Sequence, residues 1–154
     1  MKRMFRSIWM AAALAAGLAT ALPAAAQFAK PEDAIKYRKA AMSLQGYHVG
    51  RIFGMANGKV PFDAKVVASD AEVLLTVTRL PFVAFVEGTD KGDTKADPKI
   101  WSDKDKFMAA ATTMQDAVVK LNAAAKTGNI DTVKAAVGET GKACKACHDN
   151  YRKE

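Results

Sequence analysis

The sequence predicts an all-α protein, an up-and-down antiparallel four-helix bundle. Apolar residues recur at helical spacing along four long stretches, and no alternating strand pattern of any length occurs. Most connections between the stretches are short enough to join antiparallel neighbours. The chain has 154 residues, 50% of them hydrophobic and 25% charged, which is the balance of one soluble globular domain.

The first two helices have clear start and stop signals. Pro31 suits the first position of a helix, two acidic residues follow it in the first turn, and Asn57-Gly58 ends the helical pattern. Asp63 is a good N-cap for the second helix, and Pro81 ends it.

The second half of the chain contains one long connection and two more helices. Residues 81–99 form the connection: its first part is apolar and should pack on the core, and its second part is turn-rich and solvated. The third helix begins near residue 102 and runs to about 128. The fourth covers about 129–151.

The first 26 residues have the pattern of a secretory signal peptide. Three basic residues precede an uncharged stretch from Met10 to Leu22, which is shorter than the roughly 20 residues needed to span a bilayer. Three alanines ending at Ala26 follow. Cleavage there would leave residues 27–154 as the mature domain, in the periplasm and without stable membrane insertion. An uncleaved anchor is the alternative.

The charge of the mature domain excludes one class of partner. Losing the three basic residues of the signal lowers the formal net charge from +7 to +4. That excess is too small to indicate nucleic-acid binding, and no basic run with interleaved aromatic residues occurs.

One motif carries most of the chemical information. Residues 144–148 read C-K-A-C-H and contain both cysteines of the chain and one of its two histidines. This is the attachment sequence of c-type haem, in which Cys144 and Cys147 bond the porphyrin and His148 binds the iron. On a helix these three side chains share one face. Gly141, one turn earlier, would leave room for the flat macrocycle.

A redox-active dithiol and a zinc site are the alternatives for this motif. No strand–helix pattern surrounds the cysteines, and no second cluster of Cys and His offers further metal ligands. A disulfide across two intervening helical residues would be strained. The motif therefore favours one covalently attached haem c.

Four segments of the chain are similar to known proteins: CKACHDNYRK at the end of the last helix, QFAKPEDAIKYRKAA at residues 27–41, PFDA and KIWSD. With them, the chain resembles the class II c-type cytochromes, the cytochrome c' family. The resemblance covers residues 27–154. It implies a haem c held between the helices of the bundle and, as in many members, a homodimer. It also implies either electron transfer with redox partner proteins or binding of small gas ligands.

The resemblance also implies roles for first-helix residues. Five-coordinate members have a non-ligating apolar residue at the position of Met42, whereas the low-spin branch has a methionine that binds iron. A thioether is a competent axial ligand, but methionine is also a common core filler. We expect His148 and Met42 to hold the iron of an electron carrier that is not an enzyme. The alternative is a five-coordinate protein that binds nitric oxide or carbon monoxide.

Other family positions suggest residues around the haem. Arg38, one turn before Met42, matches an arginine that hydrogen-bonds a haem propionate. Lys39 and Asp93 match positions near the haem rim, and Arg152 matches a basic residue beside the proximal histidine. His48 lies off the face of Met42, so we expect it to pack or face solvent rather than bind iron.

Overall fold

The computed structural model describes residues 27–154, and the predicted signal peptide, residues 1–26, lies outside them. The predicted all-α four-helix bundle is confirmed. The helices are α1 (Pro31–Ala56), α2 (Ala64–Val77), the single turn α3 (Lys99–Ser102), α4 (Lys104–Lys126) and α5 (Ile130–Tyr151). Each long helix packs mainly on two others: α1 on α2 and α5, and α4 on α2 and α5.

Side chains at the helix starts explain where α2 and α5 begin. The Asp63 carboxylate accepts hydrogen bonds from the backbone N–H groups of Lys65 and Val66 at 2.9 and 3.1 Å. Asn129 caps α5 in the same way. Gly128 just before it has a φ of 67°, a left-handed conformation that glycine adopts at little cost. Both helices therefore start where the sequence predicted.

The second helix ends earlier than predicted, at Val77 rather than just before Pro81. The Thr78 hydroxyl donates to the Leu74 carbonyl at 2.7 Å, and a 3₁₀ turn, Leu80–Ala84, follows. Proline has no N–H and disfavours the α conformation of the residue before it, which accounts for the change. Pro81 and Ala84 are buried, so the apolar start of the long connection packs on the core as predicted.

Two clusters of buried side chains form the core. The larger lies between all four long helices and includes Ile52, Val67, Leu74, Val118, Leu121, Val133 and Val137. The smaller cluster is built around Ala96, Ile100, Phe107 and Tyr151, with Phe85, Trp101 and Cys147 packed against it. This smaller cluster joins the crossover loop, which we define as residues 85–98, to α4 and the end of α5. It forms one wall of the site described next.

Candidate haem site

A cavity of about 550 Å³ lies between α1, the end of α5 and the crossover loop. Its volume is within the range of small-molecule sites, about 300–1,000 Å³. Cys147 and His148 line it from α5, and Met42 lines it from α1. Aromatic and aliphatic side chains of the smaller core cluster complete the walls. The structure therefore brings two residues of the haem motif and the predicted first-helix ligand to one largely apolar cavity, as a haem c would require.

The two cysteines are free thiols and lie on one stretch of α5. Both are half-buried; Cys144 packs against the larger core cluster, and Cys147 lines the cavity. Burial raises the pKa of both thiols, and the neighbouring Cys144 raises the pKa of Cys147 further. A reactive dithiol needs a lowered pKa. The raised pKa values thus disfavour the dithiol alternative, and the position of Cys147 on the cavity fits attachment to a bound haem.

The surroundings of His148 favour the protonation state that an iron ligand needs. Its pKa is lowered, first by partial burial and then by the positive charge of Arg152, while Asp149 acts in the opposite direction. A lowered pKa favours the neutral imidazole, which is the form that binds metal. Arg152 lies beside the predicted proximal ligand, and its charge acts on it directly.

Met42 is half-buried and shares the cavity with His148. Ser43 and Gly46 line the same side of the cavity, and a Cβ built on Gly46 would meet no atom within 4 Å. The neighbours of Met42 on α1 are therefore small, while Arg38 and Lys39 line the cavity one turn earlier on the same helix. Ligation of iron by Met42 stays a prediction.

Arg38 is buried, with only 3% of its surface exposed. Its four terminal N–H groups donate to the Ala84 carbonyl, the Thr89 hydroxyl and carbonyl, and the Thr94 hydroxyl. The guanidinium also lies 4.7 Å from the centre of the Phe85 ring. Arg38 lines the cavity, and its contact with a haem propionate stays a prediction. The structure adds a role that the sequence did not indicate: Arg38 fastens the crossover loop to α1.

Lys39 and Asp93 form an ion pair at the edge of the cavity, with 2.5 Å between Nζ and Oδ2. Their side chains are 50% and 94% exposed, and an ion pair so exposed contributes at most about 1 kcal/mol. Both residues line the cavity, and each is the ion-pair partner of the other. Their role toward a haem stays a prediction.

Two other residues lie away from the cavity. His48 Nδ1 is 2.8 Å from the Asp70 carboxylate of α2, so this histidine packs between helices, as expected, and is not near His148. Gly141 does not line the cavity. A Cβ built on it would lie 3.4 Å from the Phe53 ring, so its small size serves the contact between α5 and α1. That it also leaves room for a macrocycle stays a prediction.

Comparison with known proteins decides the family. The model of the family described as Cytochrome C' matches residues 33–152. The chain belongs to the cytochrome c' family. The cytochrome c' of Rubrivivax gelatinosus is 53% identical over 83% of this chain and 100% of the relative. That of Alcaligenes xylosoxydans xylosoxydans is 48% identical over 83% and 99%. A cytochrome c-554 of Cereibacter sphaeroides is 34% identical over 87% and 90%.

Solved structures of cytochrome c' proteins have the same fold. The crystal structure of the Rubrivivax gelatinosus protein gives a TM-score of 0.79 at 53% identity, covering 82% of this chain and 100% of that one. A nitric oxide complex of a variant from Alcaligenes xylosoxidans gives 0.78 at 47% identity, covering 83% and 99%. As a member of this family, the protein carries one covalently attached haem c, for which Cys144 and Cys147 are the available thiols.

Proposed function

We propose that this protein binds nitric oxide or carbon monoxide at its haem c, in the periplasm. The cavity carries the proposal, because it extends from His148 to Met42 on α1, and the neighbours of Met42 that line it, Ser43 and Gly46, are small. A variant of a relative solved as a nitric oxide complex is 47% identical to this chain and superposes over most of it, with a TM-score of 0.78. Haem c bound here supplies an iron that can hold a small gas and exchange one electron.

The chain's own residues have distinct tasks in this proposal. Cys144 and Cys147 would fix the haem to α5, and the His148 imidazole would bind its iron. Met42 is unbranched and flexible, so it would cover the α1 side of the cavity without closing it to a small gas. Arg38 holds the crossover loop over the cavity. The task is reversible binding, in which the gas would form and release a bond to the iron while its internal bond stays intact, so the protein acts as a binding protein and not as an enzyme.

Electron transfer with redox partner proteins is the second candidate, and it was the first expectation from the sequence. The observation in its favour is that Met42 and His148 line one cavity, so a thioether is available to the iron. Met/His ligation would give a six-coordinate carrier of higher potential. The relatives favour gas binding over this reading, since a solved one is a nitric oxide complex.

Optical spectra of the purified holoprotein separate the two functions. We expect a high-spin ferrous protein that takes up carbon monoxide readily, and a Met42→Leu variant with the same coordination. Met55→Leu is the matched control, because Met55 is buried in the larger core cluster, away from the haem cavity. A low-spin wild type that becomes high-spin and binds carbon monoxide only in Met42→Leu would establish the electron carrier.

Export and association are further parts of the proposal. Cleavage after Ala26 would give a mature chain beginning at Gln27, which the intact mass of the periplasmic protein tests. None of the described helices is long and apolar enough to cross a membrane.

Tyr37, Leu44 and Tyr47 leave large apolar surfaces exposed along α1, and we infer a homodimer that covers them. Light scattering on wild type and Tyr47→Ser measures this association.

A further inference from the structure

The end of α5 is joined to the crossover loop by backbone pairing. The N–H of Asp97 donates to the Tyr151 carbonyl at 3.0 Å, and the N–H of Lys153 donates to the Lys95 carbonyl at 2.8 Å. These two hydrogen bonds enclose an antiparallel bridge between Ala96 and Arg152. Lys95 and Lys153 are therefore held opposite each other.

Four basic residues surround this bridge, and we call them the basic patch: Lys95, Lys99, Arg152 and Lys153. All four are exposed, and none forms an ion pair with another of the residues 27–154. Like charges held directly opposite each other across paired strands are destabilising. The fold thus keeps a local concentration of positive charge that is unfavourable within this chain alone.

Neighbouring acidic groups do not cancel this charge. Asp97 accepts a hydrogen bond from the backbone N–H of Lys99 at 2.8 Å, and Glu154 is the other acidic residue of the paired segments. The patch therefore keeps an excess of basic over acidic side chains. Lys39 and Asp93, at the cavity edge, neutralise each other.

The basic patch lies at the mouth of the haem cavity. Lys95 and Arg152 belong to the patch and also line the cavity together with His148. A partner bound to the patch would therefore come close to the haem. The basic side chains are spread over two paired segments, and all four are exposed, an arrangement that suits the charged surface of a protein more than a small anion.

We propose that the basic patch docks an acidic one-electron carrier protein that reduces the haem. The proposal rests on the proposed function, because carbon monoxide binds reduced haem iron and the protein then needs a reductant. One electron passes from the reduced partner to the haem. The partner is oxidised by one electron, the cytochrome is reduced by one, and no bond forms or breaks.

Association with an acidic probe protein tests the docking directly. Flavodoxin is the probe, and its binding to the mature holoprotein is measured by calorimetry. The reduction rate by reduced flavodoxin is measured in parallel. The test variant is Lys99→Gln/Lys153→Gln, since neither residue lines the cavity. The control variant is Lys126→Gln/Lys134→Gln, which removes two exposed lysines from the end of α4 and the start of α5.

We expect the test variant to lose about tenfold in association constant and reduction rate at roughly 0.01 M salt, where the Debye length is about 30 Å. The loss should vanish near 1 M salt, where that length is about 3 Å. The control variant should behave as wild type. Equal losses in both variants, or no binding of flavodoxin by wild type, would overturn the proposal.

A separate measurement distinguishes failure of the docking from failure of the proposed function. Carbon monoxide uptake after chemical reduction by dithionite does not involve the partner. Uptake without flavodoxin binding would refute the docking alone. Flavodoxin binding in a protein that takes up no carbon monoxide would support the docking and refute the gas-binding function.

Discussion

Arg38→Ala should destabilise the protein far more than Lys39→Ala, although the two residues are adjacent on α1. Arg38 is buried and donates four hydrogen bonds to residues 84–94, whereas Lys39 forms one exposed ion pair. A hydrogen bond to a charged group contributes about 1.5–3 kcal/mol, but the four are not additive because they share one guanidinium. Arg38→Ala leaves buried oxygens of Ala84 and Thr89 without their donor, at about 1–3 kcal/mol each, so we expect a total loss of about 4 kcal/mol. The exposed ion pair of Lys39 contributes at most about 1 kcal/mol.

Urea unfolding of the holoproteins, followed by far-ultraviolet circular dichroism, measures the difference. With an m-value of about 2 kcal/mol/M, a loss of about 4 kcal/mol lowers the midpoint by about 2 M. Lys39→Ala should lower it by less than about 0.5 M. Hydrogen exchange should also show earlier loss of protection at the amides of Thr89 and Ala96, whose acceptors lie in the same loop. Equal midpoints for the two variants would refute the assignment of Arg38 as the fastener of the loop.

Three further predictions concern the thiols and the contact between α1 and α2. Cys144→Ser/Cys147→Ser should contain no haem that survives denaturing electrophoresis, and retained haem would contradict the attachment assignment. In reduced apoprotein, burial raises the pKa of both thiols. Their contribution to stability is therefore present below the usual thiol pKa, about 8.5, and is lost as the pH rises above it. The free energy of unfolding of wild type minus that of the double variant should fall from pH 8 upwards. Asp70→Ala should lower the free energy of unfolding by about 2–3 kcal/mol, because the buried Asp70 carboxylate contacts His48 and Arg51. Glu72→Ala, at an exposed position of α2, should lower it by less than about 0.5 kcal/mol. Similar shifts in melting temperature for the two variants would show that the Asp70 contacts contribute little.

The four helices and the haem motif could be predicted because their signals are local. Asp63 and Asn129 cap helices through hydrogen bonds to residues two and three positions away, and the three haem-binding side chains lie within one turn and a half of α5. Such contacts depend on spacing along the chain and on little else. The early end of α2 is a local effect too, but the sequence pattern did not separate an α-helical turn from the 3₁₀ turn Leu80–Ala84.

The partners of Arg38 could not be predicted, because they lie 51 and 56 residues away in an irregular loop. Threonine is common in solvated loops, so Thr89 and Thr94 gave no sign that their oxygens would meet a buried guanidinium. The pairing of Ala96 with Arg152 is equally non-local. The contact of Gly141 with Phe53 of α1 is non-local as well. The position of Gly141 one turn before Cys144 therefore did not indicate it.

The crossover loop connects these observations to function. Arg38 of α1 holds its first part, and the backbone at the end of α5 holds its last part, so the loop is fixed from both helices that contribute Met42 and His148 to the cavity. The cavity between His148 and Met42 is therefore only as well defined as these two attachments. Because the attachment at the α5 end also positions the basic patch, loosening it would alter both the access of a gas to the cavity and the docking of a reductant. Loosening the Arg38 attachment should affect the first of these and leave the second, since the Ala96–Arg152 bridge does not involve α1.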